Sequence, residues 1–552
     1  MSNFILKTLE TRELKLNTIK LRGFYGGKLR KGSGDGFPQL PGDVTRWHFG
    51  GLTNEMMAAM DDPRIEDADH KGRFLSFKNF AWKGMSGVGG YGDENYQTFY
   101  KFTLDDYVFI ASPPGVKHMN FTFRVTGLQP GNKLTLAFFG TTNTVYGIWD
   151  KDGIYTVDAD IVEAGKPTYF YNGYGATRGE FTIEILPLYP GALVFDGVDD
   201  YGVCENFPIL TKEKGYTVVA LRQWISMGEG ISGLVSNVKN WFNDGAFVLE
   251  YNSNNATNKF VNRPVSFGNV NIEMDLPNNF TYQTSKSYKG VPITTGYFKG
   301  TNSLFVGKLN NIIGNCSNVA IWELVFLDHD ATEEELTKIK DYFVKTYPWL
   351  FPDQAWTVTG KTNEDEDRAT IANITGNGND LVLSNFGFAE GSGYNEEGEY
   401  AGYLVTDGVD DRVVSSLFTL NKDWTIVGNW KMLQPEANKS AGIVKQNSLF
   451  IYNHVDGLSI SINAAYSSFK LKDIRSVNAI CSDGRIYLND WTEIIDSKQQ
   501  TVNESVGTLV IGILGNVYTS LAFKNLGFYN NQNLSKDDCI KAYNYLQSLK
   551  AK

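Results

Sequence analysis

The chain has only four cysteines in 552 residues, Cys204, Cys316, Cys481 and Cys539. None stands in a C-x-x-C pair or other metal-ligand spacing, which excludes zinc ribbons and thioredoxin-like motifs. Two fall in each half, at places that do not match, so the expectation is four reduced, mostly buried thiols and no shared disulfide framework. The five histidines, His48, His70, His118, His329 and His454, never pair at i, i+4, so a helical zinc motif is absent. There is no G-x-S-x-G elbow and no phosphate loop ending in Gly-Lys-Ser/Thr. No run of about 18 apolar residues occurs, so no membrane-spanning helix is expected. Met1 to Lys7 lacks an apolar stretch of signal-peptide length, and the expectation is synthesis in a cytosol without Sec export. Charged residues make up only 20% of the chain, with a net charge of −11 that argues against general nucleic-acid binding.

What the chain has in quantity is glycine and aromatic residues: 56 Gly, 35 Phe, 29 Tyr and 11 Trp, with 42% hydrophobic residues. Few helix-forming runs interrupt them. This composition predicts an all-β, multidomain protein of antiparallel sandwiches with tight turns.

A duplication organises the chain. Asp196-Gly197-Val198-Asp199-Asp200 returns as Asp407-Gly408-Val409-Asp410-Asp411. Tyr216 to Trp224 is answered by Trp424 to Trp430, and Leu304-Phe305-Val306-Gly307 by Leu509-Val510-Ile511-Gly512. Each copy ends in a helix signature. Thr332 stands three before Glu335 as a capping box, with Leu336, Ile339 and Phe343 as the buried stripe and Pro348 as the stop. Ser535 stands three before Asp538, with Ile540, Tyr543 and Leu546 as the stripe. The expected organisation is a basic arm at 1–45, a separate β domain at 46–190, a first repeat at 191–352 and a second at 353–552. Within 46–190, Asn54 to Met60 is a helical patch. The expected strands there are 98–104, 107–111, 119–125, 133–139 and 180–185.

The first 46 residues carry nine basic residues against four acidic ones. Such an arm fits docking to an acidic partner, or a solvated terminus. Gly87-Val88-Gly89-Gly90-Tyr91-Gly92 matches G-x-G-x-x-G in letters only. No helix follows it, so it reads as a glycine-rich turn. His329 reads as a solvated loop residue.

The strand closing on Asp-Gly-x-Asp-Asp, the following Thr-Val/Ile-Val strand and the terminal Thr/Ser-x-x-Glu/Asp helix resemble concanavalin A-like lectin/glucanase modules, and more narrowly laminin-G-like jelly rolls. The resemblance covers the two repeats. It implies tandem antiparallel β-sandwich (jelly-roll) modules, each closed by a short C-terminal helix. It also admits calcium at Asp196, Asp199, Asp200, Asp407, Asp410 and Asp411, against the reading of these carboxylates as turn-closing acceptors. Glucanases of this fold carry Glu-x-Asp-x-Glu on one strand face. Glu273-Met274-Asp275 is an incomplete version, so no catalytic residues and no hydrolysis are expected. The residues Gly360 to Asp365, with Gly376 to Asp380, resemble virion proteins of crAss-like bacteriophages of gut Bacteroidales, as does Gly89 to Gly92. That implies a head-fibre or tail-fibre appendage on the virion surface, made in the host cytoplasm. The arm would bind other virion proteins, the chain would be a dimer or trimer, and glycans of host cells or mucus would be ligands. A bacterial lectin-like surface protein and a glycoside hydrolase are the alternatives. Tyr169, Tyr171 and Tyr174 form one candidate sugar platform, and Trp241 with Asn243 another. The same aromatics would serve equally as core or subunit interface.

Overall fold

The computed structural model describes residues 36–91, 99–102, 107–110, 118–138, 143–160, 168–172, 180–226, 231–238, 247–252, 259–262, 270–273, 280–288, 291–292, 301–309, 316–434, 442–446, 449–454, 457–462, 469–472, 474, 476–495, 504–514 and 517–551. Strands dominate and every strand pair is antiparallel among the described residues. No described helix is long and apolar enough to cross a membrane.

Two units share one topology strand for strand. The first sheet of unit 1 runs Val291–Pro292, Ser287–Tyr288, Phe280–Thr284, Thr217–Trp224, Asn318–Leu327, Leu193–Asp196, Gly87–Val88, with Val44–His48 also on Asn318–Leu327. Its counterpart runs Glu493–Ile495, Arg485–Leu488, Val477–Cys481, Trp424–Gln434, Ser520–Asn530, Tyr403–Asp407, Gly393–Asn395, with Gln354–Thr357 on Ser520–Asn530. The second sheets match in the same way, from Arg64–Glu66 through Tyr201–Cys204 to Val270–Glu273, and from Thr370–Ile371 through Arg412–Leu420 to Phe469–Lys472. Two of the irregularities correspond as well. A bulge at Leu221/Arg222 is matched at Asn429/Trp430, and one at Gly233/Val235 at Gly442/Val444. In each unit the two sheets face each other across one core. Phe195, Val218 and Phe326 meet Leu75, Leu234 and Val306 in unit 1, and Leu404, Ile426 and Leu526 meet Val413, Leu449 and Leu509 in unit 2.

The boundary drawn from sequence at 190 needs correction. Val44–His48, Arg64–Glu66, Phe74–Lys78 and Gly87–Val88 are hydrogen-bonded into the sheets of unit 1. Only the strands from Phe99 to Leu186 make a separate body. They form two four-stranded sheets around Phe121, Phe123, Leu136 and Phe170. This body is inserted between Val88 and Leu193, where unit 2 has only the short link from Asn395 to Tyr403. Such pairing joins strands from about 100 to about 280 residues apart, a distance over which periodicity carries no signal. The five expected strands of this region are present, with ends shifted by a residue or two, and three more accompany them at Thr144–Trp149, Gly153–Asp160 and Thr168–Asn172.

The helices Glu333–Thr346 and Lys536–Gln547 close their units as expected. Thr332 makes the full capping box with Glu335. Ser535 accepts from the Asp538 amide but donates its hydroxyl to the Asp538 carboxylate, because Asp is too short to reach back to the cap amide. Ile339, Phe343, Ile540, Tyr543 and Leu546 are buried, and Leu336 is half-buried. Both helices lie in one apolar cluster with the outer faces of the two first sheets and with Ile154 and Leu186 of the inserted body. Polar contacts cross the same seam. Gln223 Nε2 donates to Ser548 Oγ at 2.9 Å, Thr122 Oγ1 to Asn544 Oδ1 at 3.1 Å, and Tyr529 OH to the Trp349 carbonyl at 3.0 Å. Burial on both faces is why Thr217–Trp224 is buried along its whole length rather than alternating.

Candidate functional site

The repeated Asp-Gly-Val-Asp-Asp stretch is a corner that leaves the first sheet and enters the second. Asp196 Oδ1 accepts from the amides of Val198 at 2.8 Å and Asp199 at 3.4 Å. Asp200 Oδ2 accepts from the Asp196 amide at 3.1 Å, and Asp200 Oδ1 from the Ser86 hydroxyl at 3.0 Å. Ser86 Oγ in turn accepts from the Ala81 amide at 2.7 Å, and Asn79 Nδ2 donates to the Asp199 carbonyl at 3.0 Å. Gly197 has φ +80°, and a Cβ there would lie 2.8 Å from Asn318 Cβ.

The second corner repeats each of these bonds. Asp407 Oδ1 accepts from Val409 and Asp410 at 2.7 and 3.3 Å, and Asp411 from the Asp407 amide at 2.8 Å and the Ser392 hydroxyl at 3.0 Å. Gly387 donates to Ser392 Oγ at 2.8 Å and Asn385 to the Asp410 carbonyl at 3.0 Å. Behind each corner an asparagine clamps the adjoining strand through both its side-chain atoms. Asn54 holds the amide and carbonyl of Val88, and Asn363 those of Tyr394. Asn79 and Asn385 are both left-handed, at φ +68° and +70°. The signal was in the sequence. Thr53-Asn54-Glu55 is answered by Thr362-Asn363-Glu364, and Asn79-Phe80 with Ser86-Gly87 by Asn385-Phe386 with Ser392-Gly393.

Three carboxylates gather in each corner, their oxygens within 4.8 Å of one another. Asp200 and Asp411 are buried, and burial is the main influence raising their pKa, to about 7 and about 6. The neighbouring carboxylates add to this, while the serine and amide hydrogen bonds work the other way. Calcium takes roughly 6–8 oxygens. Here Asp196 Oδ1 and both oxygens of Asp200 are already engaged by amides and a hydroxyl, and the same holds for Asp407 and Asp411. The hydrogen bonds present are those of a turn lock.

A second polar centre belongs to unit 1 alone and has no motif to announce it. Glu323, fully buried on the central strand, has Oε1 2.7 Å from His48 Nδ1 and accepts from Tyr342 OH at 2.9 Å and Tyr347 OH at 3.1 Å. Arg46 Nη1 reaches Glu323 Oε2 at 3.4 Å and Tyr342 OH at 3.1 Å. Phe37 lies over the guanidinium, 4.4 Å from ring centre. Unit 2 places the neutral Asn525 opposite Thr357 where unit 1 places Glu323 opposite His48. The carboxylate and its four partners join the first strand, the central strand and the helix. Burial and then Glu323 push the Tyr347 hydroxyl well above its ordinary value, so it stays a donor.

Of the expected sugar platform, Tyr169 and Tyr171 lie on the Thr168–Asn172 strand, where Phe170 is fully buried and Tyr171 half-buried. Tyr174, Trp241 and Asn243 fall outside the described residues, as do Asp275 and residues 1–35 of the arm. Glu273 ends the Val270–Glu273 strand. His329 is not a purely solvated residue, since its Nε2 is 3.1 Å from Glu335 Oε1 at the helix cap.

No family model and no curated protein matches the chain. Similar solved structures include a Trypanosoma rangeli sialidase mutant with trans-sialidase activity, at 13% identity and TM-score 0.21 over 28% of each chain. The binding domain of botulinum neurotoxin serotype D matches at 11% identity and TM-score 0.25, over 62% of this chain and 88% of that one. Trypanosoma rangeli sialidase in complex with the inhibitor DANA matches at 11% identity and TM-score 0.27, over 71% and 68%.

Proposed function

We propose that this protein is a non-enzymatic adhesive appendage of a bacteriophage virion, built to display glycan-binding surfaces. The observation that carries the reading is the duplicated sandwich with a further β body inserted into one link. Each corner lock spends its conserved-by-duplication polar residues on holding the scaffold. The sequence likeness at Gly360 to Asp365 and Gly376 to Asp380 supports the virion setting. The locked acidic corners, and the incomplete Glu273-Met274-Asp275, support a role without hydrolysis. The basic arm would attach the chain to other virion proteins, and the appendage would be a dimer or trimer. Purified virions analysed by mass spectrometry test the setting, and a glycan array probed with the full chain tests the adhesion. Array binding lost in Tyr171→Ala and in Trp241→Ala is the expected result. A chain that binds no glycan and is absent from particles refutes the reading, and sugar release abolished by Glu273→Gln makes it a hydrolase instead.

A further inference from the structure

All four cysteines are free and buried, but two of them meet. Cys481 ends the Val477–Cys481 strand of unit 2, and Cys539 lies in the first turn of the Lys536–Gln547 helix. Both sulfurs approach one carbonyl oxygen, that of Leu534, at 4.0 and 3.9 Å. The two thiols thus converge on a single acceptor atom. Thr425 Oγ1 donates to Cys481 Sγ at 3.7 Å. Neither residue exposes any surface. Thr425 and the Leu534 amide, joined at 2.9 Å, fix the floor on which the sulfurs rest. Cys204 stands apart in unit 1, with its thiol on Asn206 at 3.3 Å.

We propose that Cys481 and Cys539 are a modification site, which a small peroxide-class oxidant converts to a disulfide that staples the closing helix to its sheet. Sulfurs that converge on one acceptor atom face each other beside it, and oxidation would join them in a bond of about 2 Å. The two thiols are unequal. The hydrogen bond from Cys539, with further help from the Thr425 hydroxyl and the Arg485 charge, holds Cys481 below the ordinary thiol value against its burial. Cys539 is pushed well above it. Cys481 is therefore the thiolate that attacks. Its sulfur takes one oxygen of the peroxide, the O–O bond breaks, hydroxide leaves, and Cys481 becomes a sulfenic acid. Cys539 then attacks that sulfur, its proton passes to the departing hydroxyl, and water leaves. The two sulfurs together lose two electrons, and the peroxide gains them. The product closes the chain from 481 to 539 and restricts the unfolded ensemble.

The test treats the full chain with hydrogen peroxide, unfolds it in alkylating agent and maps the peptides without reduction. The expected result is a linked Cys481–Cys539 peptide pair, with Cys204 and Cys316 still alkylated. The oxidised chain should also unfold at a higher temperature, reversed by dithiothreitol. In Cys539→Ser, dimedone should trap a sulfenic acid at Cys481 that the wild type does not accumulate. Four alkylated cysteines, a link through Cys204 or Cys316, or over-oxidation of Cys481 without a link would each overturn the proposal. If Cys539→Ser does not fold, the wild-type peptide map decides alone.

Discussion

Asp200 offers a test of the corner lock through pH. Its pKa is raised from 3.8 to about 7 in the folded chain. A raised carboxylate binds its proton more tightly when folded, so its favourable contribution is complete below about pH 4. It is lost as pH rises from about 4 through about 7. That rise corresponds to roughly 4 kcal/mol at full extent. The perturbation is Asp200→Asn. The amide keeps the shape, and its oxygen accepts from the Asp196 amide while its NH₂ donates to Ser86 Oγ. Ser86 Oγ has a second lone pair for this beside the Ala81 bond. The variant should match the wild type near pH 4 and exceed it at pH 8. The assay is urea unfolding followed by tryptophan fluorescence at half-unit steps from pH 4 to pH 8. Asp411→Asn should do the same over a narrower window, because Asp411 rises only to about 6. Parallel profiles for wild type and both variants would refute the reasoning. So would variants less stable than the wild type at pH 8, the result expected if a cation held the carboxylates ionised.

Further expectations follow from the same contacts. Gly307 and Gly512 are matched by sequence and both have positive φ, but a Cβ at Gly307 would lie 2.3 Å from the buried Phe195 ring, whereas at Gly512 the nearest atom is 3.6 Å away. Gly307→Ala should therefore cost well over the 1–2 kcal/mol of the left-handed backbone alone, and Gly512→Ala about that amount, by chemical denaturation. Glu323→Leu removes the carboxylate that the buried Arg46, Tyr342 and Tyr347 share and should destabilise unit 1 by about 3–5 kcal/mol in the same assay, the measured range for one partner removed from a buried pair. Adding EDTA or millimolar calcium should leave the melting temperature unchanged by differential scanning fluorimetry, since the corner carboxylates are held by the chain's own amides.

The sequence made the repeat visible where local chemistry is dense. An Asp-Gly turn, a helix cap and a buried strand each need particular residues at fixed offsets, so both copies kept them. The first strands of unit 1 were not visible in this way. Val44–His48 contains Arg46 and His48, whose polarity suits an exposed segment. Only in three dimensions do Glu323, Tyr342 and Tyr347 compensate them. A buried charge network has no period and no motif, because its partners come from distant elements.

The inserted body hid the rest. Unit 2 passes from Asn395 to Tyr403 in a short link, and the Asn385, Ser392 and Asp411 lock sits within one stretch of chain. In unit 1 the same lock is split, with Asn79 and Ser86 on one side of the insertion and Asp199 and Asp200 on the other. The Ser86 to Asp200 bond spans 114 residues, against 19 for Ser392 to Asp411. Closing a loop that much longer adds little entropy cost, about 0.6 kcal/mol per doubling of length. A lock of a few hydrogen bonds therefore tolerates the insertion, provided the Asn-Phe and Ser-Gly residues survive on its near side. They have survived, and this makes the two ends of the insertion a place where a folded body can be carried without disturbing the sandwich that carries it.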